Sequence, residues 1–248
     1  MLKHTMRTYA GLRCHLVEAD RAGAPPRQAV VLCHGFGAPG ADLVPLAEEL
    51  FAANREWGTE TRFVFPEAPL GLDEWGMPGS RAWWLIDMMR LTQLHSIDAL
   101  RDFVRECPEG MESAAALLND AVTEMLSETG LPVSRCVLGG FSQGAMIATH
   151  IALGLPEAPA GLCILSGSLI NADAWADKFA SRAGLPVFQS HGTQDPILPY
   201  QGADWLRELL EEAGLAVEFH AFPGGHTITG AVLQQMSQFL RKLVSSEN

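Results

Sequence analysis

One serine stands in a sequence context that favours nucleophilic chemistry. Ser142 lies in the string Gly140-Phe-Ser-Gln-Gly144, between a buried apolar run and an apolar helical pattern. A serine at a sharp strand-to-helix turn has a strained backbone that lifts its hydroxyl clear of the sheet, and the flanking glycines leave room for crossing chains. The helix N-terminus behind it favours a developing negative charge. The pattern predicts Ser142 as a nucleophile, although a structural Gly-Ser turn has the same spacing.

A serine hydroxyl is a weak nucleophile until a base takes its proton, and two loops offer the groups for this. His226 ends the string Phe222-Pro-Gly-Gly-His226, after an apolar run and before the last helical pattern. Asp195 follows another buried run, where its carboxylate could orient an imidazole; an Asp-Pro turn or a helix cap is the alternative. The order Ser142, Asp195, His226 is the one expected of an α/β-hydrolase.

Backbone N–H groups near these residues could stabilise the oxyanion of an acyl-transfer intermediate. The string His34-Gly-Phe-Gly37 follows the first central apolar run. We therefore predict Phe36 as one donor and Gln143, next to the nucleophile, as the other. His34 itself is expected to be structural. No Gly-Lys-Ser/Thr follows these glycines, and there is no HExxH string or Cys/His spacing suited to zinc, so neither a phosphate loop nor a metal site is predicted.

The elements that must position these residues alternate between strand-like and helix-like patterns. This alternation predicts an α/β fold with a mainly parallel central sheet and helices on both faces. An antiparallel edge strand is expected within residues 8–18. The other predicted strands cover residues 28–33, 61–65, 135–139, 161–165, 186–190 and 216–222. The predicted helices cover residues 42–55, 111–128, 145–153, 200–213 and 227–244.

Residues 83–108 interrupt this alternation with a long apolar stretch that begins at Trp83 and Trp84. A helical excursion here could cover the mouth of the active site, and a helix that merely packs on the sheet fits the pattern equally well. We see no internal repeat or linker, so one α/β-hydrolase domain is expected over residues 1–248.

Composition excludes several classes of partner. The chain has 248 residues, with 17 Lys and Arg against 29 Asp and Glu, and a formal net charge of −12. Such an acidic surface repels phosphate backbones, which argues against nucleic acid. The five cysteines form no CxxC pair and sit mainly in apolar runs, as expected of a reduced cytoplasmic protein. No signal-peptide pattern and no run of about 18 apolar residues is present, so no membrane span is expected.

Several strings together resemble the phospholipase/carboxylesterase family, which includes acyl-protein thioesterases. They are His34-Gly-Phe-Gly37, Phe65-Pro-Glu-Ala-Pro69, Arg81-Ala-Trp-Trp84, Leu138-Gly-Gly-Phe-Ser-Gln-Gly144, His191-Gly-Thr-Gln-Asp-Pro196 and Gly225-His226. The resemblance implies an α/β-hydrolase that cleaves esters, lysophospholipids or acyl thioesters without a cofactor. It also implies the triad Ser142, Asp195 and His226, with Phe36 and Gln143 as oxyanion donors.

The sequence departs from the family near the expected acyl pocket. Trp84-Leu-Ile-Asp87 replaces an aromatic-Asp-Ile run, and Leu169 stands where an aromatic residue is common. We predict Trp83, Trp84, Leu85 and Leu169 as substrate-pocket residues on this basis.

The predicted activity is that of a serine carboxylesterase, which forms an acyl-enzyme with small or medium acyl esters. Two alternatives stay open. One is an acyl-protein thioesterase or lysophospholipase, because the apolar stretch from Trp83 to Val104 could line a long acyl channel. The other, from a different class, is a catalytically silent protein of the hydrolase fold that binds a ligand. The expected partner is a small-molecule ester or acyl thioester, and the expected state is a monomer or homodimer.

Overall fold

A largely parallel β-sheet forms the centre of the molecule. The computed structural model describes residues 2–91, 94 and 96–245, and within them the sheet has eight strands in the order β1-β2-β4-β3-β7-β8-β9-β10. Strand β2 is antiparallel to both β1 and β4, and the remaining neighbours are parallel. The predicted α/β-hydrolase fold is therefore confirmed.

The strands that carry the central sheet are short, and most are buried on both faces. Their bounds are β1 Leu2–Tyr9, β2 Leu12–Ala19, β3 Gln28–Cys33, β4 Thr61–Pro66, β7 Cys136–Phe141, β8 Gly161–Leu165, β9 Pro186–Gly192 and β10 Ala216–Phe222. A separate two-stranded hairpin consists of β5 Leu70–Gly71 and β6 Arg81–Ala82. Every residue of β3 and β8 is buried, as expected of central parallel strands covered on both sides.

Helices cover both faces of the sheet. Their bounds are α1 Pro45–Ala53, α2 Arg55–Thr59, α3 Met88–Leu91, α4 Ile97–Arg105, α5 Met111–Thr129, α6 Gln143–Gly154, α7 Ala172–Phe179, α8 Tyr200–Glu212 and α9 Gly230–Ser245. The buried apolar side chains form two clusters, and alternate residues of β3 belong to alternate clusters, because successive side chains of a strand point to opposite faces. Side chains of α1, α2 and α9 belong to one cluster and those of α4 to α8 to the other.

Several boundaries differ from the prediction for local reasons. The edge strand expected within residues 8–18 is a hairpin of two strands, because Ala10 and Gly11 take positive φ values of 46° and 85° and reverse the chain. The helix expected over residues 42–55 ends at Ala53, and Asn54 caps a second short helix by accepting from the Trp57 N–H. Helix α7, which buries Trp175 and Phe179, was not predicted.

The parallel strands bring the predicted site residues to one edge of the sheet. The loops that follow β3, β7, β9 and β10 carry Phe36, Ser142, Asp195 and His226 respectively. In open α/β sheets this carboxyl edge is where ligands bind. None of the helices in residues 2–91 and 96–245 combines the length and apolar character that a bilayer crossing requires.

Candidate active site

The backbone at Ser142 has the strained conformation expected of a nucleophile turn. Ser142 joins β7 to α6 with φ 56° and ψ −122°, and residues with a Cβ rarely adopt such a positive φ. A Cβ on Gly140 or Gly144 would overlap the carbonyl oxygen of Cys33 at the end of β3. Glycine is therefore required at both positions, which is the physical reason for the spacing read from the sequence.

The structure brings Asp195 and His226 into direct contact. The Nδ1 atom of His226 lies 2.6 Å from Oδ2 of Asp195. An ionised carboxylate can only accept, so Nδ1 carries the proton and Nε2 is left with its lone pair. The two loops approach closely because Gly192 has no side chain: a Cβ there would overlap the carbonyl oxygens of Gly224 and Gly225.

The Asp195 carboxylate is buried, and both of its oxygens accept hydrogen bonds. Its side chain is 0% exposed, and Oδ1 accepts the backbone N–H groups of Ile197 and Leu198, each at 2.9 Å. Burial alone would raise the pKa of this carboxyl. The interactions with His226 and the hydrogen bonds from the two backbone N–H groups together outweigh burial and hold the pKa of Asp195 below its ordinary value.

A second imidazole lies against Asp195. The Nε2 atom of His191 is 2.9 Å from the carbonyl oxygen of Leu198 and 3.3 Å from Oδ2 of Asp195. Because a carbonyl only accepts, Nε2 carries the proton. Burial lowers the pKa of His191, against the opposing effects of Leu198 and Asp195. His191 is thus a neutral, fully buried support for the carboxylate.

The Ser142 and His226 side chains border one cavity of about 580 Å³. The Phe141 ring packs beside the imidazole, with ring centroids 4.8 Å apart. Within the described residues, no hydrogen bond joins the Ser142 hydroxyl to the imidazole, whose bond is the one to Asp195. Catalytic hydrogen bonds are often long before substrate binds and tighten in the complex.

The two predicted oxyanion donors lie on the same cavity. Phe36 and Gln143 both border it, and neither backbone N–H donates to another group in the described part of the chain. His34, just before this loop, makes two hydrogen bonds to the backbone, as expected of a structural residue. Its Nδ1 lies 2.8 Å from the Gly35 carbonyl oxygen, and its Nε2 accepts the Ala68 N–H at 3.0 Å. Burial lowers the pKa of His34, so the ring is neutral.

The predicted pocket residues divide into two groups. Trp84 and Leu85 border the cavity. Trp83 and Leu169 do not: Trp83 is buried with its indole N–H on the His34 carbonyl, and Leu169 is buried and borders a separate pocket beside Trp205. Sequence patterns did not single out the other lining residues one by one, although several of them fall in the predicted stretch 83–108. The further lining residues are Ile86, Asp87, Leu91, Phe103, Glu106, Cys107, Pro108, Glu109, Met146, Ile170, Ile197 and Leu198.

A spacing signal could have found part of that lining. Met146 is four residues after Ser142 and therefore on the same face of α6, while Ile170 and Leu198 follow the carboxyl ends of β8 and β9. The other lining residues come mostly from the stretch 83–108, of which Thr92, Gln93 and His95 lie outside the described residues. Among the residues that the structure describes, no group of three or more His, Cys, Asp or Glu side chains is placed to hold a metal ion.

Comparison with known proteins places the chain in a family. A family model described as phospholipase/carboxylesterase matches residues 14–244. An acyl-protein thioesterase 1 from Neurospora crassa is 30% identical over 85% of this chain and 84% of that protein. The acyl-protein thioesterase 1 from Eremothecium gossypii is also 30% identical, over 90% of this chain and 91% of that protein. The crystal structure of esterase PE8 superposes with a TM-score of 0.74 at 28% identity, covering 98% of this chain and 99% of that one. The chain therefore belongs to the phospholipase/carboxylesterase family of α/β-hydrolases.

Proposed function

We propose that this protein is a serine carboxylic ester hydrolase that works through an acyl-enzyme on Ser142. The observation that carries the proposal is the 2.6 Å contact between His226 Nδ1 and Asp195 Oδ2, with His226 and Ser142 facing a common cavity. Such a geometry leaves Nε2 of the imidazole available as a base beside a strained, cavity-facing serine.

In the first half of the proposed reaction, Nε2 of His226 takes the Ser142 proton as the hydroxyl oxygen attacks the carbonyl carbon. The imidazolium that forms is stabilised by the ionised Asp195. Negative charge develops on the carbonyl oxygen, and the N–H groups of Phe36 and Gln143 are positioned to receive it. The intermediate collapses, and the alcohol or thiol leaves with the proton that His226 returns.

In the second half, water replaces the leaving group. His226 takes a proton from this water as its oxygen attacks the acyl-serine carbonyl. The same two N–H groups stabilise the second oxyanion. Collapse breaks the ester bond to Ser142, returns the proton to the serine oxygen and releases the carboxylic acid.

We propose a small or medium acyl group as the part of the substrate that the cavity binds. The cavity volume of about 580 Å³ lies in the range of small-molecule sites. Met146, Ile170 and Leu198 give it an apolar floor beside Ser142. We further propose that residues 83–108 belong to the same domain and that the described part of this stretch forms one wall of the cavity, which Leu91 and Phe103 line.

Thioester cleavage is the second candidate activity, and the relatives favour it. Two curated proteins that are 30% identical to this chain bear the name acyl-protein thioesterase 1. A panel of esters and thioesters with acyl chains of two to sixteen carbons would separate the two candidates. We expect kcat/KM to peak at short or medium chains with oxygen esters. A steady rise towards the longest thioesters would instead support a thioesterase or lysophospholipase.

A silent binding protein is the candidate from another class. All three proposed triad members are present in the chain, which supports an active enzyme. Reaction with a fluorophosphonate probe tests this directly, because only an activated serine is phosphonylated. Full labelling is expected, and no labelling would revive the silent alternative.

Replacement of the nucleophile is the main test of the proposed function. We expect Ser142→Ala to lower kcat for a p-nitrophenyl ester by about 10⁴- to 10⁶-fold, because the acyl-enzyme cannot form. Ser181→Ala is the matched control, since Ser181 is an exposed serine whose hydroxyl bonds only the Lys178 carbonyl. Unchanged turnover in Ser142→Ala would refute the proposal.

The proposal also includes the cellular location, the oligomeric state and the partners of the enzyme. All five cysteines are unpaired and four of them are buried, which supports a reducing, cytoplasmic location. We propose a monomer or homodimer with a small-molecule substrate and no nucleic-acid partner, in keeping with the net charge of −12.

A further inference from the structure

The Gln143 side chain makes contacts that the triad does not explain. It is fully buried, directly after the proposed nucleophile. Its Oε1 accepts the backbone N–H of Trp83 at 2.9 Å, and its Nε2 donates to the backbone carbonyl of Trp84 at 2.8 Å. One carboxamide thus binds two consecutive peptide groups of the cavity wall.

The same stretch of wall is bound to the loop on the other side of the site. The Trp83 indole N–H donates to the His34 carbonyl oxygen at 3.0 Å. The Gly37 N–H donates to the Arg81 carbonyl at 2.9 Å, and the Arg81 N–H donates to the Ala38 carbonyl at 3.0 Å. Residues 81–84, which we call the brace, therefore lie between the loop that carries Phe36 and the turn that carries Gln143.

An apolar residue at position 143 would leave the Trp83 N–H and the Trp84 carbonyl without these hydrogen bonds. Trp83 is 1% exposed and Trp84 is 3% exposed, so water has little access to their peptide groups. Removal of a partner from a buried N–H or carbonyl costs the desolvation of that group. The carboxamide offers one acceptor and one donor, which is what the Trp83 N–H and the Trp84 carbonyl require.

We infer that the Gln143 carboxamide is a positioning residue that fixes the two proposed oxyanion donors and the acyl-pocket wall relative to each other through the brace. The inference rests on the proposed function. The backbone N–H of Gln143 and its side chain act in different ways: the first faces the oxyanion, and the second orients Trp83 and Trp84. Because Trp84 and Leu85 border the cavity, a displaced brace changes both the oxyanion site and the shape of the acyl pocket.

Three variants separate these effects. Gln143→Met keeps a similar volume and loses both bonds to the brace. Gln143→Glu keeps an acceptor for the Trp83 N–H, but an ionised carboxylate cannot donate to the Trp84 carbonyl. Trp83→Phe keeps both Gln143 bonds and loses the indole bond to His34 together with part of the buried ring. Gln28→Met is the matched control, because Gln28 is a buried glutamine that bonds Thr61 at the opposite end of β3.

The measurement is kcat and KM per active site for esters of increasing acyl length, with active sites counted by the mass of fluorophosphonate-labelled protein. We expect Gln143→Met to lower kcat by about 10- to 100-fold at every length, the equivalent of one or two lost buried hydrogen bonds. We also expect it to change the ratio of kcat/KM between the longest and shortest accepted esters. Trp83→Phe should lower kcat but leave this ratio nearly unchanged, because its wall stays bound to Gln143.

A wild-type kcat and a wild-type chain-length ratio in Gln143→Met would overturn the inference, even if the variant melts at a lower temperature. Such a result would mean that the carboxamide only stabilises the fold, as expected for Gln28→Met. If Gln143→Met does not fold, Gln143→Glu decides by the same two readouts. Absence of labelling and turnover in the unmodified protein would refute the proposed function itself, and the inference with it.

Discussion

The two halves of the cavity are built in different ways. The proposed catalytic half consists of loops at the carboxyl ends of β3, β7, β9 and β10, and its Asp195 side chain is 0% exposed. The wall half comes from the described part of residues 83–108, which includes the short helices α3 and α4, and it leaves large apolar side chains in contact with solvent. Leu85 is 47% exposed, Met89 76% and Ile97 46%.

This difference indicates that the two halves have different roles in the proposed reaction. Backbone hydrogen bonds and sterically required glycines hold the catalytic half, so its geometry depends on the sheet. Among the described residues, the Gln143 carboxamide bonds the wall at two consecutive peptide groups, those of Trp83 and Trp84. Changes in the catalytic half should therefore affect all substrates alike, whereas changes in the wall should affect substrates according to their acyl group.

The largest effect short of nucleophile loss is expected at Asp195. In Asp195→Asn the amide can donate to Nδ1 of His226, which would place the imidazole proton on Nε2 and remove the base. We expect kcat to fall by about 10⁴-fold for short and long esters alike. Steady-state kinetics over the ester panel measures this, with Asp173→Asn on α7 as the control. A loss confined to one acyl length would break the division between the two halves.

An intermediate effect is expected in the wall. Phe103 lines the cavity from α4 and is half-buried. We expect Phe103→Ala to lower kcat/KM for medium-chain esters by about tenfold, through lost apolar contact worth about 1–2 kcal/mol, and to leave the shortest ester within about twofold. Phe51→Ala, at a half-buried phenylalanine of α1, is the matched control. Equal losses at all chain lengths would contradict the proposed role of the wall.

The smallest effect concerns the dependence of stability on pH. The folded-state pKa of Asp195 is lowered, so its stabilising contribution is complete above the unfolded value of about 3.9 and is lost as pH falls through the folded value. We expect the protein to exceed Asp195→Asn in free energy of unfolding by about 2 kcal/mol at pH 7, and the gap to shrink below about pH 4. Urea titrations at several pH values measure the gap, and a constant gap would contradict the charge-assisted network.

The sequence was sufficient for most of the catalytic half. The strands over residues 28–33, 161–165 and 216–222 have the predicted bounds. The first two are fully buried apolar runs, and the third is a partly exposed edge strand that ends before Pro223. Parallel strands meet at one edge, so the contact between Asp195 and His226 followed from chain order alone. The catalytic roles of all five residues, Ser142, Asp195, His226, Phe36 and Gln143, stay predictions.

The structure of the wall and of the peripheral elements was harder to predict from the sequence. Strand β1 is exposed over most of its length and carries no apolar alternation, and α7 is an eight-residue helix whose burial depends on distant neighbours. Trp83 and Leu169 were predicted as pocket residues because they lie where the sequence departs from the family near the expected acyl pocket. Both are buried and neither borders the cavity, since the direction of a side chain at a loop depends on contacts that local sequence does not encode.

The identity of the acylated residue tests the account most directly. Cys107 is a rival nucleophile, because its exposed thiol lines the same cavity as Ser142. Partial burial and the charge of Glu112 raise the pKa of the Cys107 thiol, which disfavours the reactive thiolate. Rapid quench of a p-nitrophenyl ester reaction, followed by peptide mass spectrometry, locates the acyl group. We predict one acyl group on Ser142, and an acyl group on Cys107, or on no residue during turnover, would contradict the account.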